Sequence, residues 1–189
     1  MSDLALQPNT SFLLVIDVQE RLVAAMPEEV HQALRRTERL IDGAITLGIP
    51  VLVTEQYPRG LGPTVASVKE KADTAKATFI EKLEFDASAN EGIRAKLERL
   101  RAEGRTTALV CGLEAHICVY QSVRGLVNQG FRAHIAVDAV CSREKANYDL
   151  ARSLYHYAGG IASSSEVMLF DLVGRAGTDA FKAVSKLVK

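Results

Sequence analysis

Three side chains in this sequence of 189 residues, Asp17, Lys82 and Cys118, would together make a covalent catalyst. A thiolate is a strong nucleophile, a carboxylate can take the thiol proton and later return it to a leaving group, and an ammonium stabilises the anions formed on the way. Cys118 falls where the run Gly112-Leu113-Glu114-Ala115-His116-Ile117-Cys118 turns from an apolar stretch into a helical pattern. A helix amino terminus favours thiolate over thiol, and a neighbouring ammonium adds to the effect, so the expectation is a lowered thiol pKa. Singly, each residue has a plainer reading. A strand-ending Asp caps a turn, a Lys is solvated, and a buried Cys is a small hydrophobe.

The elements that would have to bring them together alternate along the chain. Phe12-Leu13-Leu14-Val15-Ile16 is a continuous apolar run closed by Asp17, the pattern of a strand covered on both faces. Pro27 suits a first helical turn, Val30, Leu34, Ile41 and Ile45 recur at helical spacing, and Gly48 and Pro50 stop the helix before the strand Val51-Leu52-Val53. Tyr57-Pro58-Arg59-Gly60-Leu61-Gly62-Pro63 has the composition of a surface loop that carries binding groups. Thr78-Phe79-Ile80 reads as a third strand leading to Lys82. Ile93, Leu97 and Leu100 line a helix closed by Gly104, and Thr107-Ala108-Leu109-Val110 is the next buried strand. Val119, Val123 and Leu126 mark a helix ended by Gly130, His134-Ile135-Ala136-Val137 a fifth strand, and Ala146, Leu150 and Leu154 a further helix. Gly160-Ile161-Ala162 reads as a last strand, and Phe181, Val184, Leu187 and Val188 as a closing amphipathic helix.

This alternation predicts an α/β fold with a parallel sheet, right-handed crossovers and helices on both faces, in a single domain over residues 1–189. Ligands of such sheets collect beyond the carboxyl ends of the strands, and all three candidates fall there. About 70% of the surface of a chain this long is buried on folding, enough for one core without disulfides.

Composition narrows the partners. Lysine plus arginine number 23 and aspartate plus glutamate number 23, so no net field gathers polyanions, and nucleic acid is not an expected partner. Arg35, Arg36 and Arg39, interrupted by Glu38, read as a solvated helix face. The apolar runs fall far short of the roughly 18 residues of a membrane helix. The amino terminus carries Asp3 and no basic segment ahead of an apolar stretch, so a cytoplasmic location is expected. Cys111, Cys118 and Cys141 cannot all pair and match no disulfide or redox framework, which predicts free thiols. Cys111 fits strand packing, and Cys141 reads as a loop residue with no catalytic part. Cys111, His116 and Cys118 lack a fourth ligand for zinc, and His31, His134 and His156 lie in helix or strand patterns as structural residues.

At these positions the sequence resembles the isochorismatase-like cysteine hydrolases. The resemblance covers nearly the whole chain, from Leu13-Leu14-Val15-Ile16-Asp17-Val18-Gln19 through Glu81-Lys82 to Cys111-Gly112-Leu113-Glu114-Ala115-His116-Ile117-Cys118-Val119. The segment Thr54-Glu55-Gln56-Tyr57-Pro58 is similar to one subgroup of isochorismatase-domain proteins. The resemblance implies a catalytic triad of Asp17, Lys82 and Cys118. It further implies a six-stranded, mostly parallel sheet in a three-layer α/β/α arrangement, a homo-oligomer, and a cis peptide between Leu113 and Glu114. An oxyanion hole would come from the backbone N–H groups of Glu114 and Cys118. Gln19, Tyr57 and Phe85, near strand ends, are the candidates for substrate contact.

Two departures sharpen the expected chemistry. The family's nicotinamidases hold a metal through an Asp and histidines after the second strand. Here no histidine occurs between His31 and His116, and the corresponding loop offers Glu55, Gln56 and Tyr57, so neither a metal nor another cofactor is expected. True isochorismatases lack the nucleophilic cysteine at the matching position, whereas this chain has Cys118. The expectation is therefore a cysteine hydrolase of a small amide or related acyl or imine-like compound, working on C–N bonds other than peptide bonds through a thioester-type intermediate. The alternative is a homologue that keeps the scaffold and works as an oligomeric binding or regulatory protein.

Overall fold

In the computed structural model, which describes residues 4–189, β1 (Ser11–Ile16) is buried at every position. Asp3, on which the reading of the amino terminus rests, lies outside the described residues. Phe12, Leu14 and Ile16 feed one core and Leu13 and Val15 another, as the two-residue period of a strand demands when both sheet faces are covered. The neighbours of β1 are β2 (Val51–Gln56) and β4 (Thr107–Leu113), with β3 (Thr78–Lys82) beyond β2, and β5 (Arg132–Cys141) then β6 (Ile161–Ser163) beyond β4. All five pairings are parallel, giving a six-stranded sheet in the order β3-β2-β1-β4-β5-β6.

Two short helices, α1 (Glu20–Ala24) and α3 (Pro58–Leu61), lie beyond the carboxyl ends of β1 and β2. The longer helices form the outer layers. One core receives α5 (Glu91–Ala102), α6 (Tyr120–Asn128) and α7 (Lys145–Tyr157) through residues such as Leu97, Val123 and Tyr155. The other receives α2 (Val30–Leu47), α4 (Ala66–Thr74), α8 (Ser165–Val173) and α9 (Asp179–Leu187) through Ile41, Val68, Met168 and Val184. The three-layer α/β/α architecture is the expected one.

Several local expectations are corrected. Glu55 and Gln56 belong to β2 rather than to the loop, and β5 continues past Val137 to end at Cys141, with a register irregularity against β4 between Val110 and Gly112. Cys141 is thus a strand residue. Neither α4 nor α8 is among the predicted helices: α4 buries only Val68 and Ala72, and the Val167-Met168-Leu169-Phe170 run of α8 blurs helical periodicity. Ile45 and Leu150 are exposed, off the apolar faces assigned to them.

Successive strands are added on one side of β1 as far as β3 and on the other from β4 onward, so the boundary between β1 and β4 is the topological switch point where ligands of open α/β sheets bind. There Gly112 takes φ +120, and a Cβ on it would lie 2.0 Å from the carbonyl oxygen of Ile16. Only glycine lets the two strand ends approach so closely. Gly112→Ala is expected to cost about 3 kcal/mol in urea unfolding, since the new methyl meets backbone that cannot rotate away.

A second prediction concerns pH. His134 on β5 is buried, its Nε2 lacks a hydrogen-bond partner among the described residues, and burial, then Arg132, hold its pKa below the ordinary 6.5. The folded state therefore keeps the ring neutral, while the unfolded chain takes up a proton as pH falls through the ordinary value. Stability is lost as pH drops below about 6.5. Thermal unfolding between pH 7.5 and 5 should show a steeper decline for the wild type than for His134→Gln.

Candidate active site

Asp17 follows the last residue of β1 in a left-handed conformation, φ 51, which aspartate tolerates better than most residues. Its backbone N–H donates to Thr54 O on β2 at 3.1 Å. Its carboxylate is wholly buried and both oxygens are engaged: Thr54 Oγ1 donates to Oδ1 at 2.6 Å, and Lys82 Nζ to Oδ2 at 2.6 Å. Lys82 ends β3, two strands away, and neither side chain of the pair has any exposure. An ion pair this deep persists only when its remaining hydrogen-bonding capacity is filled. Lys82 meets that condition, with its other N–H groups on Gln56 Oε1 at 2.7 Å and Glu84 O at 3.2 Å.

Cys118 lies in a single wide turn over Ala115–Val119, in which the Val119 N–H reaches back five residues to Glu114 O at 3.2 Å. Wide turns of this kind recur at functional sites. Leu113–Glu114 is a cis peptide, as the resemblance implies. Three contacts clamp the turn. Tyr155 on α7 donates to Ala115 O at 2.9 Å, His116 Nδ1 lies 3.0 Å from Ser142 Oγ, and the Arg143 N–H and Nε reach the Glu114 carboxylate at 3.0 and 3.1 Å.

The thiol does not have the lowered pKa expected from its helix-terminal position. Burial, and after it the Asp17 carboxylate, push Cys118 up to about 12, while Lys82 pulls the other way. Desolvation outweighs the helix terminus because Cys118 sits inside the turn, before α6 begins, at 5% exposure. The charges of Asp17 and Lys82 both act on the thiol, so the three residues share one environment. Cys111, also raised to about 12 by burial, packs within β4, and Cys141 is buried with its Sγ against Ser142 O. All three cysteines are free.

The residues expected to touch substrate separate. Tyr57, half exposed, lines a cleft of about 440 Å³ with Arg59, Glu81, Lys82, Glu84 and Asn90. Phe85, also half exposed, follows Lys82 in the chain. Gln19 is buried and its amide is fully committed: Nε2 donates to Gln56 O at 3.0 Å and Gly62 O at 2.7 Å, and Oε1 accepts the Gln56 N–H at 2.7 Å. Its place is structural. Glu55 accepts from the N–H and hydroxyl of Thr64 at 2.7 Å each. Among the described residues no three His, Cys, Asp or Glu side chains are grouped to hold a metal ion.

Sequence reasoning misses Thr54, Tyr155, Ser142 and Arg143. Thr54 and Gln56 carried one available signal, polar residues two apart at the end of an otherwise apolar strand. Tyr155, Ser142 and Arg143 carried none, because their partners lie 40, 26 and 29 positions away.

A parallel α/β/α sheet with a buried acid, ammonium and thiol at its switch point defines the class. Residues 11–167 match the Isochorismatase domain family. A secreted isochorismatase effector, Isc1, of Phytophthora sojae is 33% identical over 186 residues, covering 96% of this chain and 86% of that protein. The solved structure of MAR1 ribonuclease from Caenorhabditis elegans superposes with a TM-score of 0.87 at 32% identity, covering 97% of this chain and 92% of that one. The YcaC gene product of Escherichia coli, described as an octameric hydrolase of unknown specificity, shares the fold with a TM-score of 0.87 at 19% identity, covering 99% of this chain and 90% of that one. This chain belongs to the isochorismatase family of hydrolases.

The buried pair generates a stability prediction. Lys82→Met leaves an unpaired carboxylate and should cost about 3–5 kcal/mol in denaturant unfolding, whereas Asp17→Asn/Lys82→Met, which removes both charges, should recover a large part of that loss.

Proposed function

We propose that the chain is a cofactor-free cysteine hydrolase of a small amide or related acyl or imine-like compound, acting on C–N bonds other than peptide bonds. The observation that carries this reading is the Asp17–Lys82 pair, joined at 2.6 Å without exposure, with the buried Cys118 thiol near enough for both charges to act on it.

The thiol rests protonated beside an ionised Asp17. As substrate binds, Asp17 takes the proton from Sγ and the sulfur attacks the carbonyl carbon, forming the C–S bond and moving the C=O electron pair onto oxygen. The backbone N–H groups of Glu114 and Cys118 hold that oxyanion, a role worth about 3 kcal/mol per donor. The C–N bond breaks, and the leaving nitrogen takes the proton from Asp17. Water, deprotonated by the same carboxylate, then cleaves the thioester, releasing the acid and restoring the thiol. Lys82 stays an ammonium throughout and stabilises each anion. Tyr57, which lines a cleft with Lys82, and the half-exposed Phe85 are the side chains we assign to substrate.

Further features of this reading have separate support. The octameric E. coli neighbour supports a homo-oligomer. Three free thiols suit a reducing cytoplasm, although the Phytophthora relative is named as secreted. No helix among the described residues is long and apolar enough to cross a membrane. The balance of 23 positive and 23 negative side chains favours a small-molecule substrate over the RNA that the C. elegans relative's name indicates for that protein. We take the chain to act as a single domain.

A panel of small amides and nitriles assayed against wild type and Cys118→Ala tests the reading. Turnover of at least one compound should fall by roughly a thousandfold or more in the variant, which should keep the wild-type circular dichroism spectrum. Undiminished turnover in Cys118→Ala would sink the mechanism and favour the alternative, a binding or regulatory homologue.

A further inference from the structure

An ammonium has three N–H bonds, and the three acceptors of Lys82 differ in kind. Asp17 Oδ2 at 2.6 Å is an anion, while Gln56 Oε1 at 2.7 Å and Glu84 O at 3.2 Å are neutral. In the proposed first step Asp17 becomes a neutral acid while Cys118 becomes a thiolate. The electrostatic hold of Asp17 on the ammonium is weakest at that moment, when Lys82 has most to do. Neutral acceptors do not change charge in the step and keep their grip.

Gln56 is the stronger of the two neutral acceptors by distance, and its amide cannot turn away. Its Nε2 donates to Leu83 O at 2.8 Å, so the end facing Lys82 has to be the oxygen: an ammonium requires an acceptor there and a carbonyl requires a donor. Its backbone is held as firmly, with the N–H and the C=O both bonded to the side-chain amide of Gln19 at 2.7 and 3.0 Å. Gln19 is tied in turn to Gly62 O at 2.7 Å. Strand β2 supplies no member of the triad, yet it lies between the two strands that supply Asp17 and Lys82, and its Thr54 and Gln56 side chains reach one partner each.

We infer that Gln56 is the positioning residue for Lys82, keeping its ammonium beside the sulfur when Asp17 is protonated, and that Gln19 acts through Gln56 and not on substrate. The inference rests on the cysteine-hydrolase reading above. It assigns the Thr-x-Gln spacing of Thr54 and Gln56 a task in that site: one residue orients the base, the other the ammonium.

The test is the rate at which iodoacetamide alkylates each cysteine of the full-length chain, followed by intact-mass and peptide mass spectrometry from pH 6 to 10, with melting temperatures recorded alongside. In the wild type, Cys118 should label ahead of Cys111 and Cys141. Gln56→Met should slow Cys118 about tenfold at pH 8 and move the onset of labelling to higher pH, because a loosened ammonium stabilises the thiolate less. Gln19→Ala should act in the same direction and more weakly. In the Asp17→Asn/Lys82→Met background, which has no ammonium to position, adding Gln56→Met should slow labelling no further. A wild-type rate in Gln56→Met, or a slowing that persists undiminished without Lys82, overturns the inference and leaves the hydrolase reading standing. If Gln56→Met fails to fold, Gln19→Ala in the same two backgrounds decides by the same criterion. Wild-type Cys118 labelling no faster than the other two cysteines would instead overturn the hydrolase reading itself.

Discussion

A carboxylate and an ammonium from opposite sides of strand β2 are joined at 2.6 Å with no exposure to water. Taking two ions out of water is expensive, and their attraction repays that cost only when every remaining hydrogen-bonding position is filled. This requirement organises the end of the sheet. Thr54 fills the second oxygen of Asp17, Gln56 and the Glu84 carbonyl complete the ammonium, and Gln19 and the Leu83 carbonyl fix Gln56 in turn. Were the pair only structural, apolar side chains of similar volume would serve the fold as well or better. Its presence next to a thiol is what turns a stability question into a chemical one.

The thiol responds to the same burial in a different way. A group with no ionic partner of its own is held in its neutral form by desolvation, and the adjacent carboxylate reinforces this, so Cys118 rests as a thiol. On the proposed mechanism the site thereby keeps its proton on sulfur and its negative charge on Asp17 before the first step. The turn carrying Cys118 is kept in place by Tyr155 of α7 and by Ser142 and Arg143 of the loop between β5 and α7, so the thiol is anchored on one side of the switch point and the acid and ammonium on the other. Gly112, whose lack of a side chain lets β4 approach β1, is the hinge on which the two halves meet.

Much of this was legible in the chain as written. Continuous apolar runs closed by polar residues marked the strands, and the ends of those runs pointed to Asp17, Lys82 and the Cys118 turn, because strand ends are where an α/β sheet collects its chemistry. Short helices escaped notice where periodicity is weak, as in α4 with two buried residues and α8 with an apolar run lacking a polar face. The helix-terminal argument for Cys118 gave the wrong direction for its pKa, since a local pattern carries no measure of desolvation. Gln19 was assigned to substrate from its place near a strand end, while only the fold revealed that its amide is spent on the backbone of Gln56 and Gly62.

What the amino-acid order determined unaided is the alternation of elements, the parallel sheet, and the strand ends that carry the three candidate groups, because these depend on periodicities of two and 3.6 residues and on chemistry intrinsic to each side chain. The tertiary structure decided the order of strands, the sharing of one ammonium among three acceptors, the protonation of the thiol and the pairing of Gln19 with Gln56. Apart from the Glu84 carbonyl, two positions from Lys82, those depend on distances between residues 26 to 65 positions apart and on the exclusion of water around them, which no local window of the chain encodes.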